Sequence, residues 1–424
     1  MTTKDDVVIT GIGLHLPGAS SVAEFWKHLQ LGSVQAGRVA GFVEAGLPVV
    51  SGAQIHDFDH RAHLPDLPDK YADRYNREIL ITMSAAAQAL DDAGLTGASV
   101  PAARVGLVAS SSRPALREHG RLFDSCGPTP DTILRSLPST PASLIAINQD
   151  IQGPVTTLTS ACIGGSQAIG LAASRLRLGE ADAMVVGAYE FPLLPELVRA
   201  YVKLGAGVLS PDPSPTGAMR PYSRDRSGFV LGEGALFLCL ERASAASRRG
   251  AQQYGRVLAE GSANDALHPT TMDMTGERAA RLVREVIGRS EVPRSQIGYV
   301  CGHGSATQYN DVAESRVVNQ VFAGLPDPPP LGSIKPVFGH SLGMSSLVNV
   351  AAVALMLREQ TLAPTPNCVD PDPDCPHDHV VEGARKTTLE HGLSLSYGLG
   401  GQFGAVLLGA PTCGQRRDSP EGIS

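Results

Sequence analysis

No stretch of the 424-residue sequence stays apolar for the length of a membrane span, which argues against a helical membrane protein. Charged residues make up only 18% against 42% hydrophobic, so the chain has the means to build a large core and is not disordered. A formal net charge of −7 argues against general affinity for nucleic acid. Seven cysteines, at 126, 162, 239, 301, 368, 375 and 413, show no framework spacing, which points to a reducing compartment. Phosphate-binding GxxxxGK[ST] and dinucleotide fingerprints are both missing. The opening MTTKDDVVITG lacks a basic segment followed by a long apolar run, so no signal peptide is expected and the protein is expected to be cytoplasmic.

What is present is organised around Thr157–Leu178, TLTSACIGGSQAIGLAASRLRL. It reads as a strand end, a tight turn crowded with small residues, then a helix with Ile169, Ala172, Ala173 and Leu176 at helical spacing. Almost uncharged before Arg175, the helix is predicted to be deeply buried. Cys162 then stands at its positive end, where the dipole and free N–H groups favour a thiolate. The bland reading of an unpaired cysteine is a packed core residue.

The remaining pattern repeats. Strands are predicted at Val7–Gly13, Arg104–Ser110 and Ala183–Gly187, with helices at Ala23–Leu29 and Glu78–Ala93. Residues 33–70 read as a surface excursion, and 111–150 as a partly helical insertion. The second half gives a helix at Glu277–Ile287, a strand at Ile297–Cys301, a buried helix at Leu342–Leu357 and a strand at Ala405–Gly409. Each half reads helix, strand, special turn, buried helix, strand, at an offset of about 190 residues. Such alternation predicts an α/β layered fold of two similar halves packed face to face, bringing the special turns together. The expected units are 1–250, 251–412 and a polar tail at 413–424.

Three polar points interrupt the apolar runs. They are Cys162, the segment Cys301–Thr307 containing His303, and the segment Ser333–His340 containing Lys335. Each lies where a regular element meets a loop, a favoured place for catalytic groups. One histidine alone is more often structural. A cysteine, two histidines and a lysine at such points together read as a site. Cys375, His377 and His379 alternate but lack a fourth ligand at a compatible spacing, so no metal is expected. Lys70, Arg74 and Arg77 form a small basic run, either a solvated helix start or a docking patch for an acidic partner.

At this point the sequence resembles the β-ketoacyl synthases, condensing enzymes of fatty-acid and polyketide assembly with the thiolase fold. The resemblance runs from Val7 to Leu408 and rests on six blocks in order: VVITGIG, TSACIGG, RPYSRDRSGFVLGEGA, HGSATQYND, SIKPVFGHSLG and SYGLGGQFGAVLL. HGS-x-T-x-x-ND, SIK with GHSLG, and PTPN at Pro364–Asn367 lean toward bacterial type II polyketide ketosynthases. It implies a thiolase-like fold in α-β-α-β-α layers, and decarboxylative condensation of an acyl thioester with a malonyl carrier protein. Cys162 would carry the acyl group, and the Cys162 and Leu399 N–H groups would form an oxyanion hole. His303 and His340 would bind the malonyl thioester carbonyl. Lys335 would pair with Glu314, and Ser305, Thr307, Asp311 and Phe229 would support the site or substrate. The resemblance also implies substrates carried on phosphopantetheine with no cofactor of the enzyme's own, an acyl carrier protein as partner, and a homodimer or a heterodimer with a chain-length subunit.

The pattern departs from the family at Ile163, at Leu399 in place of an aromatic, and at Ala306 in place of a second glycine. These bear on the acyl pocket and its gating. A non-condensing partner subunit, which lacks the nucleophile, is disfavoured by Cys162 with both histidines. A thiolase is disfavoured because GLGGQFG holds no second cysteine. An acyltransferase using Cys162 alone is disfavoured by the histidine pair.

Overall fold

The structure is a computed structural model that describes residues 6–96, 100–113, 115–123, 128–205 and 207–411. Cys126, Cys413 and the tail expected at 413–424 lie outside the described residues. Its main sheet contains β1 (Val7–His15), β2 (Val105–Ser110), β3 (Val155–Leu158), β4 (Ala183–Glu190), β5 (Gly234–Arg242), β6 (Gly255–Asn264), β7 (Ile297–Cys301), β8 (Leu331–Gly332), β9 (His391–Gly398) and β10 (Gln402–Gly409). Their spatial order is β8-β7-β9-β10-β6-β1-β5-β4-β2-β3.

That order is a duplication. Outward from the seam, the first half runs first, fifth, fourth, second and third strand, and the second half repeats the sequence. In both halves the outer three strands are parallel and the inner pairings antiparallel. A short antiparallel ladder, Val7 opposite Val257, joins them.

The principal helices are α1 (Arg77–Asp92), α2 (Thr140–Asn148), α3 (Gly164–Arg177), α4 (Glu277–Ser290), α5 (Gln308–Phe322) and α6 (Ser345–Glu359). Successive strand residues face opposite sides of a sheet, so each strand feeds two cores. Along β5, Leu236, Leu238 and Leu240 join the central core with α3 and α6, while Ala235, Phe237 and Cys239 join α1 and α2. Along β10, Val406 and Leu408 face the same central core, whereas Ala405 and Leu407 pack with α4 and α5. The layers are therefore α1/α2, half-sheet, α3/α6, half-sheet, α4/α5, the α-β-α-β-α stack.

The central helices come close because α3 begins with glycine. A Cβ on Gly165 would lie 2.7 Å from the Leu347 backbone nitrogen. The segment Leu342–Glu359 is long and apolar enough to cross a membrane by composition, yet 89% of it is buried within the fold, as a core helix must be.

Residues 33–70 are not the surface excursion that their composition predicts. Ser51–Ala53 is a buried strand paired with Leu231–Gly232. Val39, Phe42, Val49 and Ala53 pack in one cluster with Cys162, Ala306 and Leu342. Burial here comes from pairing with a strand far along the chain, which local pattern does not reveal.

Candidate active site

Cys162 lies on the single 3-10 turn Ala161–Ile163 between β3 and α3. Ala161 adopts φ 39°, a left-handed conformation unusual for a residue with a Cβ. Cys162 is 9% exposed and lines a cavity of about 760 Å³. The same cavity is lined by Phe229, His303, Ser305, Thr307, His340 and Leu399. One sulfur from the first half and two imidazoles from the second thus share a chamber.

His340 Nε2 stands 3.7 Å from Cys162 Sγ, and the His303 and His340 ring centroids are 5.1 Å apart at 82°. The Leu342 backbone N–H donates to His340 Nδ1 at 3.1 Å, so in the neutral ring the proton sits on Nε2, pointing at the sulfur. His340 is therefore a donor toward the chamber and not a base for the thiol. The Phe229 ring packs edge-on to His340 at 4.9 Å and fixes its plane. Burial, then the nearby Lys335 charge, holds both histidines well below 6.5.

Glu314 on α5 organises the His303 turn. Its carboxylate accepts the His303 N–H at 2.5 Å, the Gly304 N–H at 2.8 Å and the Tyr222 hydroxyl at 2.9 Å. Burial pushes it up to about 7, against those hydrogen bonds. Asn349 on α6 donates to the Gly302 carbonyl at 3.0 Å and braces the same turn from behind.

Lys335 corrects an expectation. Its Nζ is buried and makes no hydrogen bond among the described residues, and no ion pair joins it to Glu314. The carboxylate is already occupied by two backbone N–H groups and a tyrosine, so lysine and glutamate act through the field and not by contact. His303 Nδ1 is likewise buried without a partner.

Cys162 itself is pushed up to about 12 by burial, with Lys335 and Arg113 pulling the other way. The resting group is a thiol, not the thiolate suggested by its place before a helix. The Gly398 backbone abuts it: a Cβ there would lie 3.2 Å from the Cys162 nitrogen. This places the start of the Leu399 turn against the nucleophile's own N–H.

Of the other expected residues, some line the cavity and some do not. Asp311 is fully buried and accepts the Tyr222 N–H at 2.9 Å, so it holds backbone and does not face substrate. Ser305 and Thr307 do face it, their hydroxyls 3.0 Å apart. Lys70 and Arg74 lie away from the chamber lining, and Arg74 is paired with Asp131. Carbonyls of Leu331 and Cys375 face both ring nitrogens of His379, while His377 bonds the Ser315 hydroxyl at 2.9 Å. No group of three or more metal-ligating side chains forms among the described residues.

Sequence reading missed Tyr222, Tyr201 and the buried pair Arg113–Glu190. Tyr222 lies inside the quoted block RPYSRDRSGF. A lone carboxylate ending the apolar run AMVVGAYE was the available signal for Glu190.

Known proteins resemble this chain along nearly its whole length. Residues 4–246 match the family described as "Beta-ketoacyl synthase, N-terminal domain", and 254–369 match "Beta-ketoacyl synthase, C-terminal domain". A "Putative polyketide beta-ketoacyl synthase 1" of Streptomyces halstedii is 34% identical, over 96% of this chain and 98% of that one. A chain in the solved structure of a type II polyketide acyl-carrier protein in complex with its ketosynthase bound to the hexaketide matches with TM-score 0.88. It is 26% identical, over 96% of this chain and 100% of the other. The ishigamide ketosynthase/chain length factor matches with TM-score 0.88 and 26% identity, over 97% of this chain and 100% of the other.

Proposed function

The chain belongs to the β-ketoacyl synthase family, and from that premise we propose how its residues divide the work of a decarboxylative condensation. It is a β-ketoacyl synthase of type II polyketide or fatty-acid assembly, a carbon–carbon bond-forming acyltransferase. In this reading Cys162 Sγ attacks an acyl thioester, and the Cys162 and Leu399 N–H groups receive the oxyanion. The carrier thiol leaves with the cysteine proton. A malonyl thioester then enters, and its carbonyl oxygen accepts from the two imidazole N–H groups. Carbon dioxide departs, leaving its electron pair in an enolate that those donors stabilise. The enolate carbon attacks the acyl carbonyl, the sulfur leaves, and a β-ketoacyl carrier product forms. Neutral imidazoles suit this step, because each can offer an N–H where negative charge develops, and that of His340 is fixed by the Leu342 N–H.

One observation carries the proposal: the tautomer of His340, set by the Leu342 N–H, aims a donor into the Cys162 chamber. Substrates are expected on the phosphopantetheine arm of an acyl carrier protein, with no cofactor of the enzyme's own. The partner chain is expected on the exposed edge of β3.

Two variants test the division. Cys162→Ala is expected to abolish acyl loading, seen as loss of the acyl mass increment, while carbon dioxide release from malonyl carrier protein persists. His340→Ala is expected to cut decarboxylation at least about 100-fold, in line with loss of an oxyanion donor, with Cys162 still acylated. Decarboxylation at the native rate in folded His340→Ala would refute the assignment.

A further inference from the structure

Glu190 ends β4 with a carboxylate that is 1% exposed and that the condensation chemistry does not use. It accepts the Ser112 N–H, and its Oε2 lies 3.6 Å from Arg113 Nε. Its remaining neighbour comes from the second half of the chain. A Cβ on Gly343 would lie 2.7 Å from Glu190 Oε1, 2.8 Å from the Ser112 nitrogen and 3.1 Å from the Ala161 carbonyl oxygen. Burial pushes the carboxyl up, while the Arg113 charge and hydrogen bonds from Ser112 and the Gly343 backbone N–H favour its ionised form. An anion from one half is thus seated against the turn Leu342–Met344 of the other.

The duplication shows what place that anion fills. β4 and β9 are the fourth strands of their halves, and Glu190 and Gly398 are their last residues. Ala161 at φ 39° opens the turn that carries Cys162. Leu342 at φ 44° opens the matching turn, which puts Gly343 in the counterpart position of the nucleophile. In the first half, Gly398 has no side chain and leaves room beside the Cys162 N–H. In the second half, the equivalent N–H, that of Gly343, faces the Glu190 carboxylate.

Leu342 links that contact to the chemistry. A leucine at positive φ is strained, and the strain persists only where the surroundings fix it. Its N–H donates to His340 Nδ1 at 3.1 Å and sets the ring's tautomer. A change in φ rotates that N–H relative to the Gly343 peptide that follows. With one end of the pair held by His340 and the other by Glu190, the strained angle is kept. Without the carboxylate, the turn is free to relax, and the Leu342 N–H no longer has to point at Nδ1.

Resting on the reading of His340 as an Nε2–H donor, we propose that Glu190, paired with Arg113, is a positioning residue for decarboxylation: it anchors Gly343 so that the Leu342 N–H keeps His340 in its donor tautomer. The test uses the full chain, with any ketosynthase-like subunit that co-purifies. Glu190→Gln is compared with Arg113→Met/Glu190→Gln, in which no buried charge is left unpaired. Carbon dioxide release from malonyl carrier protein is measured in the Cys162→Ala background, and acyl loading by intact-protein mass spectrometry with Cys162 present. The His340 tautomer is read from the ring-nitrogen chemical shifts of isotope-labelled histidine, assigned by their loss in His340→Ala. In both variants kcat for decarboxylation is expected to fall about ten-fold or more with KM little changed, the mark of an interaction made in the transition state. Acyl loading is expected to stay close to native, and the His340 signals to change from a single Nε2–H form to a mixture of tautomers. Folded variants that keep the native tautomer, or that lose loading and decarboxylation in parallel, overturn the proposal. An Nδ1–H ring already present in the native protein would overturn the reading of His340 itself, so the two failures are distinguishable.

Discussion

Lys335 holds an ammonium group at 2% exposure with no hydrogen bond, an arrangement that costs stability unless the charge does something. Its neighbours show what it does. Burial lowers both site histidines, and the Lys335 charge lowers them further, so neither becomes an imidazolium near neutral pH. The sign follows directly. A histidine kept neutral in the folded state and free to protonate at 6.5 when unfolded stabilises fully above 6.5 and loses that contribution as pH falls below it. Decarboxylation by Cys162→Ala is therefore expected to show no acid limb at 6.5, the rate staying flat through that pH. In Lys335→Met one lowering influence is gone, so the acid limb is expected to move upward. A native limb centred at 6.5, or one that moves downward in Lys335→Met, would contradict this account. The lysine's place beside the histidines was legible in the sequence, but its lack of contact with Glu314 was not. That depends on where a carboxylate points after Tyr222, 92 residues away in the chain, has reached it.

At the scale of elements, most of what the sequence announced was regular pattern. A continuous apolar run marked Ala183–Gly187, which is buried on both faces, and helical spacing marked α1 and α3, because a face buried against a flat partner imprints its period on the chain. The segment 33–70 carries no such imprint, since its buried strand is three residues long and gains its partner from residues 231–232. The meeting of α3 with α6 was only half visible: small residues were evident, and their contact was not. Gly165→Val tests that contact. Its side chain would collide with backbone and side-chain atoms of Leu347, and overpacking of a rigid core costs about 1–3 kcal/mol or more. A clear fall in thermal midpoint is expected. Gly170→Ala on the same helix meets only the flexible Glu260 side chain at 3.2 Å and gains helix propensity, so its midpoint is expected to change little. Equal effects of the two substitutions would refute close packing at Gly165.

The duplication brings the nucleophile and a histidine together from the two halves. Cys162 lies on the 3-10 turn that leads into α3, and His340 lies just ahead of the matching turn, Leu342–Met344, that leads into α6. The two ends of the sheet are not equivalent in exposure. Residue 331 at the β8 end is fully buried, while β3 at the other end has Val155 at 40% exposed. Beside β3, α2 presents Ile147 at 77%, and the helix Pro130–Ser136 presents Ile133 at 66%. An open strand edge flanked by bare aliphatic side chains is unstable to association unless a partner covers it. The edge lies within the half that carries Cys162, so a subunit docked there would stand close to the acyl side of the chamber. We therefore expect the 44.3 kDa chain to be dimeric, alone or with a ketosynthase-like partner. Ile133→Asp/Ile147→Asp is expected to shift the mass measured by light scattering to that of the monomer, with the circular dichroism spectrum retained. A native oligomer mass in the folded double variant would show that the partner sits elsewhere.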